Sequence, residues 1–432
     1  MIWRFFTDPV LRAPTIGTML MCAAAALVGV IFFLRKQSLL GEALSHAAYP
    51  GVILGVILAA VLGLQGIQET TLTYFILAGA FVTGMASLFA IHFLENRIRI
   101  RSDACLCLIL AIFYGVGVLL ASHVQFSLTN LYRQVQIYLY GQAATMTDIY
   151  IVIYGALLAL IGSIIAIFYK EFKIITFDRN YAQTLGIKTR GLDALLFVLV
   201  VSAVVIGIRS VGVVLMSAML VAPAAAARQF TNHLSNMLFT AMGIGALSGL
   251  LGNIFSVELG IALPTGPMIV LSATAICIFA MLFAPERGII WRWVRTLAFR
   301  THCQQENILK ALWRLGEGNS SSFFHLKRLL GSNGPELLFN LWRLRANRWI
   351  VHKEGRYFLT AEGVQWAAKI VRLHRLWEVY LVDYLGIGAE KVHRSAEEME
   401  HILTPELERE LTLLLKDPKK DPHAQPIPPL ES

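Results

Sequence analysis

The residues best placed to do chemistry are a carboxylate and an imidazole set in an oily stretch. Glu42 and His46 stand in SLLGEALSHAAYPG (Ser38–Gly51), at the head of an apolar run from Leu39 to Leu62. Four residues apart on a helix, they share one face about one turn from each other. An ionisable side chain at membrane depth costs on the order of a few kcal/mol, which marks it as a candidate functional group. Carboxylate and imidazole together form half of a site for zinc, manganese or ferrous iron. The plainer alternative has His46 bonding a backbone carbonyl and Glu42 lying among headgroups behind Arg35 and Lys36.

A second group of such residues lies far along the chain. His374 and Glu378 are four apart in a predicted helix over Val364–Leu385. In KVHRSAEEMEHILTPELEREL, residues His393, Glu397, Glu400 and His401 fall at i, i+4, i+7 and i+8, one stripe of a helix that starts by His393. Two histidines and two glutamates on one stripe, with His374 and Glu378 on a neighbouring helix, suit manganese, iron or zinc. A solvated charged face is the competing reading.

The elements that carry these groups divide into two kinds. The chain has 432 residues, 56% of them hydrophobic, and its mean hydropathy of +0.62 excludes an ordinary soluble protein. Residues 1–285 hold 15 Lys/Arg and 10 Asp/Glu, whereas residues 286–432 hold 22 and 18 in half the length. A membrane domain precedes a soluble one. Five cysteines (Cys22, Cys105, Cys107, Cys277 and Cys303) show neither CxxC nor zinc-finger spacing and imply no disulfide framework.

Nine spans are expected: Ile16–Leu34, Leu39–Leu62, Leu72–Leu94, Ala104–Ala121, Ile149–Tyr169, Leu192–Ile208, Val211–Ala227, Leu234–Phe255 and Pro267–Phe283. The first is 19 residues long and followed by Arg35 and Lys36, which fits a retained helix better than a cleaved leader. One set of loops carries Arg35/Lys36, Arg97/Arg99/Arg101, Lys170/Lys173/Arg179/Lys188/Arg190, Arg228 and Arg287/Arg292/Arg295/Arg300. The other carries only Arg4/Arg12, Arg133 and Arg209. By the positive-inside rule the rich set faces the cytoplasm, the N-terminus lies outside and the soluble half is cytoplasmic.

Two connections stand out. Ser122–Asp148 reads as a long polar external loop with Tyr132, Tyr138 and Tyr140, a lid or a docking surface. Glu171–Arg190, containing FDRNYAQTLGIKTR, reads as a short amphipathic helix stopped by Gly186, either a seat for a motor subunit or an ordinary interfacial helix. Small residues (Gly243, Gly245, Ala246, Gly249, Gly252, and Ala222–Ala227 around Pro223) point to close helix packing. Arg209 and Glu258 read as external-loop residues.

SLLGEALSHAAYPG, FDRNYAQTLGI, VGVVLMSAMLVAPAAAAR and TGPMIVL, in that order, resemble the permease of metal-importing ABC transporters of the zinc, manganese and iron class, over roughly residues 10–300. The resemblance implies a paired second permease, identical or homologous, two cytoplasmic ATP-binding subunits and an extracytoplasmic metal-binding receptor. His46 matches the family pattern, while Glu42 stands where the family usually has Asp. No GxxxxGK[ST] loop occurs in the sequence, so no ATP is expected on this chain and energy must come from a partner.

In the soluble half, RGIIWRWVRTLAFR is a basic, aromatic stretch suited to headgroups. Predicted helices at Glu306–Leu315, Ser321–Leu330 and Pro335–Trp349, then a hairpin of Ile350–Val351 and Arg356–Leu359 around a KEG turn, make a winged helix. Asn340, Arg343, Arg345 and Arg348 are its candidate DNA contacts, with Asn347 beside them; a protein-interaction role is the alternative. HRLWEVYLVDYLGI, KVHRSAEEMEH and DPHAQPIP resemble the dimerisation domain of diphtheria-toxin-repressor-like metalloregulators, over about residues 303–430. That resemblance implies that His374, Glu378, His393, Glu397, Glu400 and His401 are metal ligands, with Glu397 tilting the choice toward manganese. One departure accompanies it: the first-helix ligand position falls near Asn307 or Lys310, neither a good replacement.

The expectation is therefore a mostly α protein, a polytopic helical bundle of about nine spans followed by a cytoplasmic winged-helix and helical dimerisation domain. The divisions are 1–285 for the permease, 286–302 for a basic linker, 303–363 for the winged helix and 364–432 for the metal-binding domain with its Pro-rich tail. The function implied is import of a divalent metal (manganese, iron or zinc), non-catalytic on this chain. The alternative is a membrane-tethered or proteolytically released metal-dependent repressor that binds operator DNA.

Overall fold

Backbone groups in hydrocarbon must bond one another, and the first part of the chain does so with helices throughout. The computed structural model describes residues 3–62, 69–127, 129–259, 263–315 and 320–429. The chain divides into two compact units, 1–292 and 293–432. In the first, the order is α1 (Arg4–Thr7), α2 (Pro9–Leu34), α3 (Ser38–Val61), α4 (Glu69–Phe93), α5 (Ser102–Ser127), α6 (Thr129–Tyr140), α7 (Ile149–Ile167), α8 (Tyr169–Phe177), α9 (Arg179–Thr184), α10 (Thr189–Val211), α11 (Val213–Phe230), α12 (Leu234–Glu258) and α13 (Thr265–Phe283). Among the described residues, nine of these are long and apolar enough to cross a membrane, the exceptions being α1, α6, α8 and α9.

Helix α2 is the buried centre, packed by α12, α7 and α11. Asp8 caps it, its Oδ1 accepting from the Val10 N–H at 2.9 Å, and Pro9 opens the first turn. Deeper in, Asn253 of α12 donates to the Thr18 hydroxyl at 2.6 Å and to the Pro14 carbonyl at 3.3 Å. Where hydrophobic collapse no longer drives association, such buried bonds and close backbone contacts hold helices together. The closest contact is between α3 and α4: a Cβ on Gly51 would lie 2.2 Å from the Gly79 carbonyl oxygen, and one on Gly79 2.3 Å from that of Gly51. Only hydrogen fits at either position.

Three connections differ from the sequence reading. The segment 122–148 is mainly helical among its described residues: α5 runs on to Ser127, and α6 follows with Val135 and Tyr138 buried. Its amphipathic spacing outweighs its polar content, and the Gln142 N–H bonds the Arg209 carbonyl at 3.0 Å. Segment 171–190 holds two helices rather than one, because Asp178 breaks α8 and caps α9 through the Tyr181 N–H at 2.9 Å. Gly186, at φ 75°, follows α9 as expected. Arg209 is not a loop residue. It closes α10, its guanidinium 4.8 Å above the Tyr150 ring, and α10 and α11 are separated by Gly212 alone, at φ 95°.

The boundary between units falls inside α14 (Ile289–Arg314), one continuous helix where the sequence suggested a linker over 286–302 followed by a new helix. Its amphipathic stripe carries Ile308, Leu309 and Leu312 into the second core, so helix formation propagates back through the basic stretch. Then come β1 (Ser321–Ser322), α15 (Phe323–Leu330), α16 (Gly334–Ala346), β2 (Ile350–Lys353), β3 (Arg356–Leu359), α17 (Ala361–Asp383), α18 (Ala389–Met399) and α19 (Pro405–Leu414). The sheet has the order β1-β3-β2, all antiparallel, with Ile350 opposite Leu359 and Lys353 opposite Arg356. Glu354 and Gly355 both take positive φ, the tight hairpin turn whose twist matches the strands. Leu326, Leu337, Leu341, Leu344, Ile350, Ala367 and Ile370 complete a winged-helix core.

Candidate metal centres

Among the described residues, both units hold candidate ligands. In the first, Ser38–Val61 forms α3 as the apolar run demands, and Glu42 and His46 share a face of it, both partly buried. Helix α3 packs against α4, α5 and α11. The His46 ring meets the ring of Tyr114 on α5 edge-on, with centroids 4.8 Å apart. That contact holds the imidazole by shape. His46 Nδ1 is buried and finds no hydrogen-bond partner among the described residues. The plainer alternative, a histidine satisfied by a backbone carbonyl, is therefore not what Nδ1 does. One turn further on, Pro50 lacks the N–H that would bond the His46 carbonyl in a regular helix. A carboxylate, an unpartnered ring nitrogen and a carbonyl without its usual helical partner thus occur within one turn of α3.

The second group is built by α17 and α18. Spacing of i, i+4 on α17 puts His374 Nε2 3.2 Å from Glu378 Oε1. His393 of α18 brings its Nδ1 to 2.9 Å from the same oxygen and 3.0 Å from His374 Nε2. Three atoms with lone pairs converge here within about the edge length of a shell around a zinc or manganese ion. The second face of His374 is fixed, because Nδ1 bonds Glu400 Oε2 at 2.5 Å, leaving Nε2 to face the centre. The donor set and its outer support fit a divalent transition metal. His423 and Asp421, which spacing on one helix did not single out, lie at the rim: His423 Nδ1 is 3.8 Å from Glu378 Oε2, while Asp421 pairs with Arg375. The Asp-Pro-His run in the tail was the available signal. A cavity of about 1070 Å³ opens beside the cluster, lined by His374, Glu378, His393 and His423 among others.

Electrostatics follow from this packing. Burial alone would raise the Glu378 carboxyl, but hydrogen bonds from His374 and His393 reverse that and hold it at about 2. Burial would lower His374, and the carboxylates of Glu378 and Glu400 outweigh it, so the imidazole is raised. Glu400 is lowered against its burial by His374 and the Lys310 ammonium.

The four residues expected on one stripe, His393, Glu397, Glu400 and His401, do not share a single helix face. Helix α18 ends at Met399, so Glu400 and His401 leave its axis. Glu400, fully buried, lies between His374 and Lys310, whereas His401 turns its Nδ1 to Glu306 at 2.5 Å. Glu397 stays half-exposed, 3.6 Å from His393 Nε2. On the winged helix, Arg343, Arg345 and Arg348 are exposed. Asn340 is not available to DNA: it is 1% exposed, donates to Gln304 Oε1 at 2.6 Å and accepts from Gln305 at 3.3 Å. Its heptad-like spacing from Leu337, Leu341 and Leu344 places it on the inward face of α16.

With this geometry in view, comparison with known proteins finds two matching families. Residues 7–284 match the ABC 3 transport family, and residues 360–429 match the iron dependent repressor, metal binding and dimerisation domain. A probable metal transport system membrane protein of Chlamydia trachomatis is 34% identical over 446 residues, covering 99% of this chain and 98% of that protein. The manganese transport system membrane protein MntC of Bacillus subtilis is 32% identical over 90% of this chain and 87% of its own length. Among solved structures, PsaBC from Streptococcus pneumoniae in complex with Fab aligns over 68% of this chain and 99% of that chain, with a TM-score of 0.57 and 27% identity.

Proposed function

The chain belongs to the ABC 3 transport family of multi-pass membrane permeases, and from that premise we propose that it is the translocation subunit of an ATP-driven importer of divalent transition metals, manganese first, iron or zinc next. The observation that carries the reading is the unpartnered, buried Nδ1 of His46, one turn from Glu42 on α3. A cation leaving water needs ligands to replace its hydration shell, and an acid and an imidazole on one helix face supply half of them. A second permease subunit, identical or homologous, provides an equivalent pair; two ATP-binding cassette subunits drive access, and an extracytoplasmic receptor delivers the ion. The α8–α9 segment is the seat for a cassette subunit. The uneven distribution of Arg and Lys supports an external N-terminus and a cytoplasmic second unit in the plasma (inner) membrane. Cells carrying Glu42→Gln or His46→Ala should lose accumulation of radioactive manganese while the protein still reaches the membrane. Wild-type uptake by both would refute the path.

The second unit is a metal-responsive domain, with His374, Glu378 and His393 as the ion's ligands. Its exposed Arg343, Arg345 and Arg348 beside a wing favour a further reading as a tethered or released repressor on operator DNA. Leu338, Phe339 and Trp342, all exposed on the same helix, favour a protein-facing role instead. Manganese-dependent retardation of the operon's own promoter by residues 293–432 separates these readings.

A further inference from the structure

Beside the three-residue cluster lies a second set of donors: Glu397, Glu400 and His401. His401 Nε2 is 3.6 Å from Glu400 Oε1, and Glu397 lies across from it. The point they surround is filled. Lys310 of α14, 4% exposed, puts its ammonium 2.5 Å from Glu400 Oε1 and 3.8 Å from Glu397 Oε1. The Glu400 carboxylate is fully enclosed, with one oxygen on Lys310 and the other on His374.

We infer that the Lys310 ammonium stands in for a second metal ion, so that the domain takes a single divalent cation, at His374, Glu378 and His393. A buried carboxylate needs a counter-charge, and here the charge is attached to the chain. A divalent ion entering among Glu397, Glu400 and His401 would face a positive charge with little water to screen it, and would have to expel the lysine. His401 is also committed elsewhere, its Nδ1 bonded to Glu306 of α14 at 2.5 Å. The consequence is mechanical. Helix α14, which opens the winged helix, is joined to the end of α18 through Lys310–Glu400 and Glu306–His401 whether or not metal is present. Metal reaches the domain only through α17 and α18, the helices that carry His374, Glu378 and His393. The assignment of the single ion rests on the proposed metal-responsive role; the occupancy by Lys310 does not.

Counting ions decides both. The full-length chain in detergent, in a His46→Ala background that removes the permease pair, is stripped with chelator, dialysed against manganese and analysed by elemental mass spectrometry. One tight equivalent per chain is expected, none with His393→Ala, two with Lys310→Met and one with both. Lys310→Arg, which keeps the charge, should match the parent. Two equivalents in the parent would overturn the lysine's role, as would one ion that survives His393→Ala with Lys310 intact and is lost with Glu400→Gln. So would a folded Lys310→Met that takes no more than its parent. If His393→Ala leaves the parent's count unchanged at one while Lys310→Met adds another ion and the added ion is lost with Glu400→Gln, only the placement of the first ion fails. Should Lys310→Met fold only with manganese present, the ion has replaced the ammonium and the inference stands. Should it not fold at all, the parent and His393→Ala counts still decide.

Discussion

Arg35 at the end of α2 and Asp193 in α10 meet at 2.7 Å with side-chain exposures of only 10% and 11%. The other oxygen of Asp193 takes Arg179, the first residue of α9, also at 2.7 Å. One carboxylate therefore ties a central span to the short helix after Asp178. Because Arg179 is half-exposed, the two bonds differ in weight. Asp193→Asn leaves the Arg35 guanidinium buried without its counter-charge and should cost about 3–5 kcal/mol. Arg179→Ala should cost no more than about 1 kcal/mol. Thermal melting of the detergent-solubilised protein measures both, and equal losses would refute this ranking.

Manganese uptake should depend on the ring nitrogen of His46 and not on the ring beside it. His46→Ala and Glu42→Gln should each lower uptake by about tenfold or more, equivalent to about 1.4 kcal/mol per factor of ten in binding. Tyr114→Phe keeps the edge-on contact and should transport within about twofold of wild type. Initial rates with a radioactive tracer, normalised to membrane-inserted protein, give the comparison.

The metal-free second unit should have a stability optimum between the ordinary carboxylate and imidazole ranges. Glu378 is held near 2, below its usual 4.5, so its contribution is present above 4.5 and lost as pH falls through 2. His374 is raised above its usual 6.5, so its contribution is full below 6.5 and lost as pH rises through the folded value. Melting temperature in chelator should fall on both sides of that window, and Glu378→Gln should flatten the acid limb. Manganese should move the optimum to higher pH, since the imidazoles must give up protons to bind it.

Asn340 and the exposed arginines should separate cleanly. Asn340→Ala leaves the buried Gln305 without its side-chain acceptor, while Gln304 keeps its bond to Glu336, and should cost about 1–3 kcal/mol. Arg343→Ala and Arg345→Ala should change stability by less than about 0.5 kcal/mol. If the second unit holds DNA, each arginine variant should reduce the magnitude of the slope of log K against log salt by about one. Chemical denaturation and a salt titration of DNA binding supply the two readouts.

The spans, the hairpin and the shared helix face of Glu42 and His46 were legible because each rests on local signals: apolar run length, a KEG turn, spacing by four. What escaped was decided by neighbours. The 122–148 segment looked polar because its apolar stripe, with Val135 and Tyr138, is narrow and meets α10 and α11 only in the folded bundle. The stripe from His393 to His401 was read as one helix face, yet Met399 ends the helix and the last two residues turn to α14 and α17. The spacing of Asn340 from Leu337, Leu341 and Leu344 turns it inward, but the two glutamines it bonds come from α14 and are seen only in the folded unit. The tail's His423 comes near Glu378 only because the Arg375 guanidinium grips Asp421 and the Pro426 carbonyl.

Gly51 and Gly79 touch backbone to backbone, with the Thr83 hydroxyl closing the same contact. Sliding α3 along α4 would drive carbonyl oxygens into α-carbons, so these two helices travel as a plank. If the proposed path through Glu42 and His46 opens to one side of the membrane and then the other, α4 must move with α3. On that path, any stroke of α3 would be shared by the helix it is joined to.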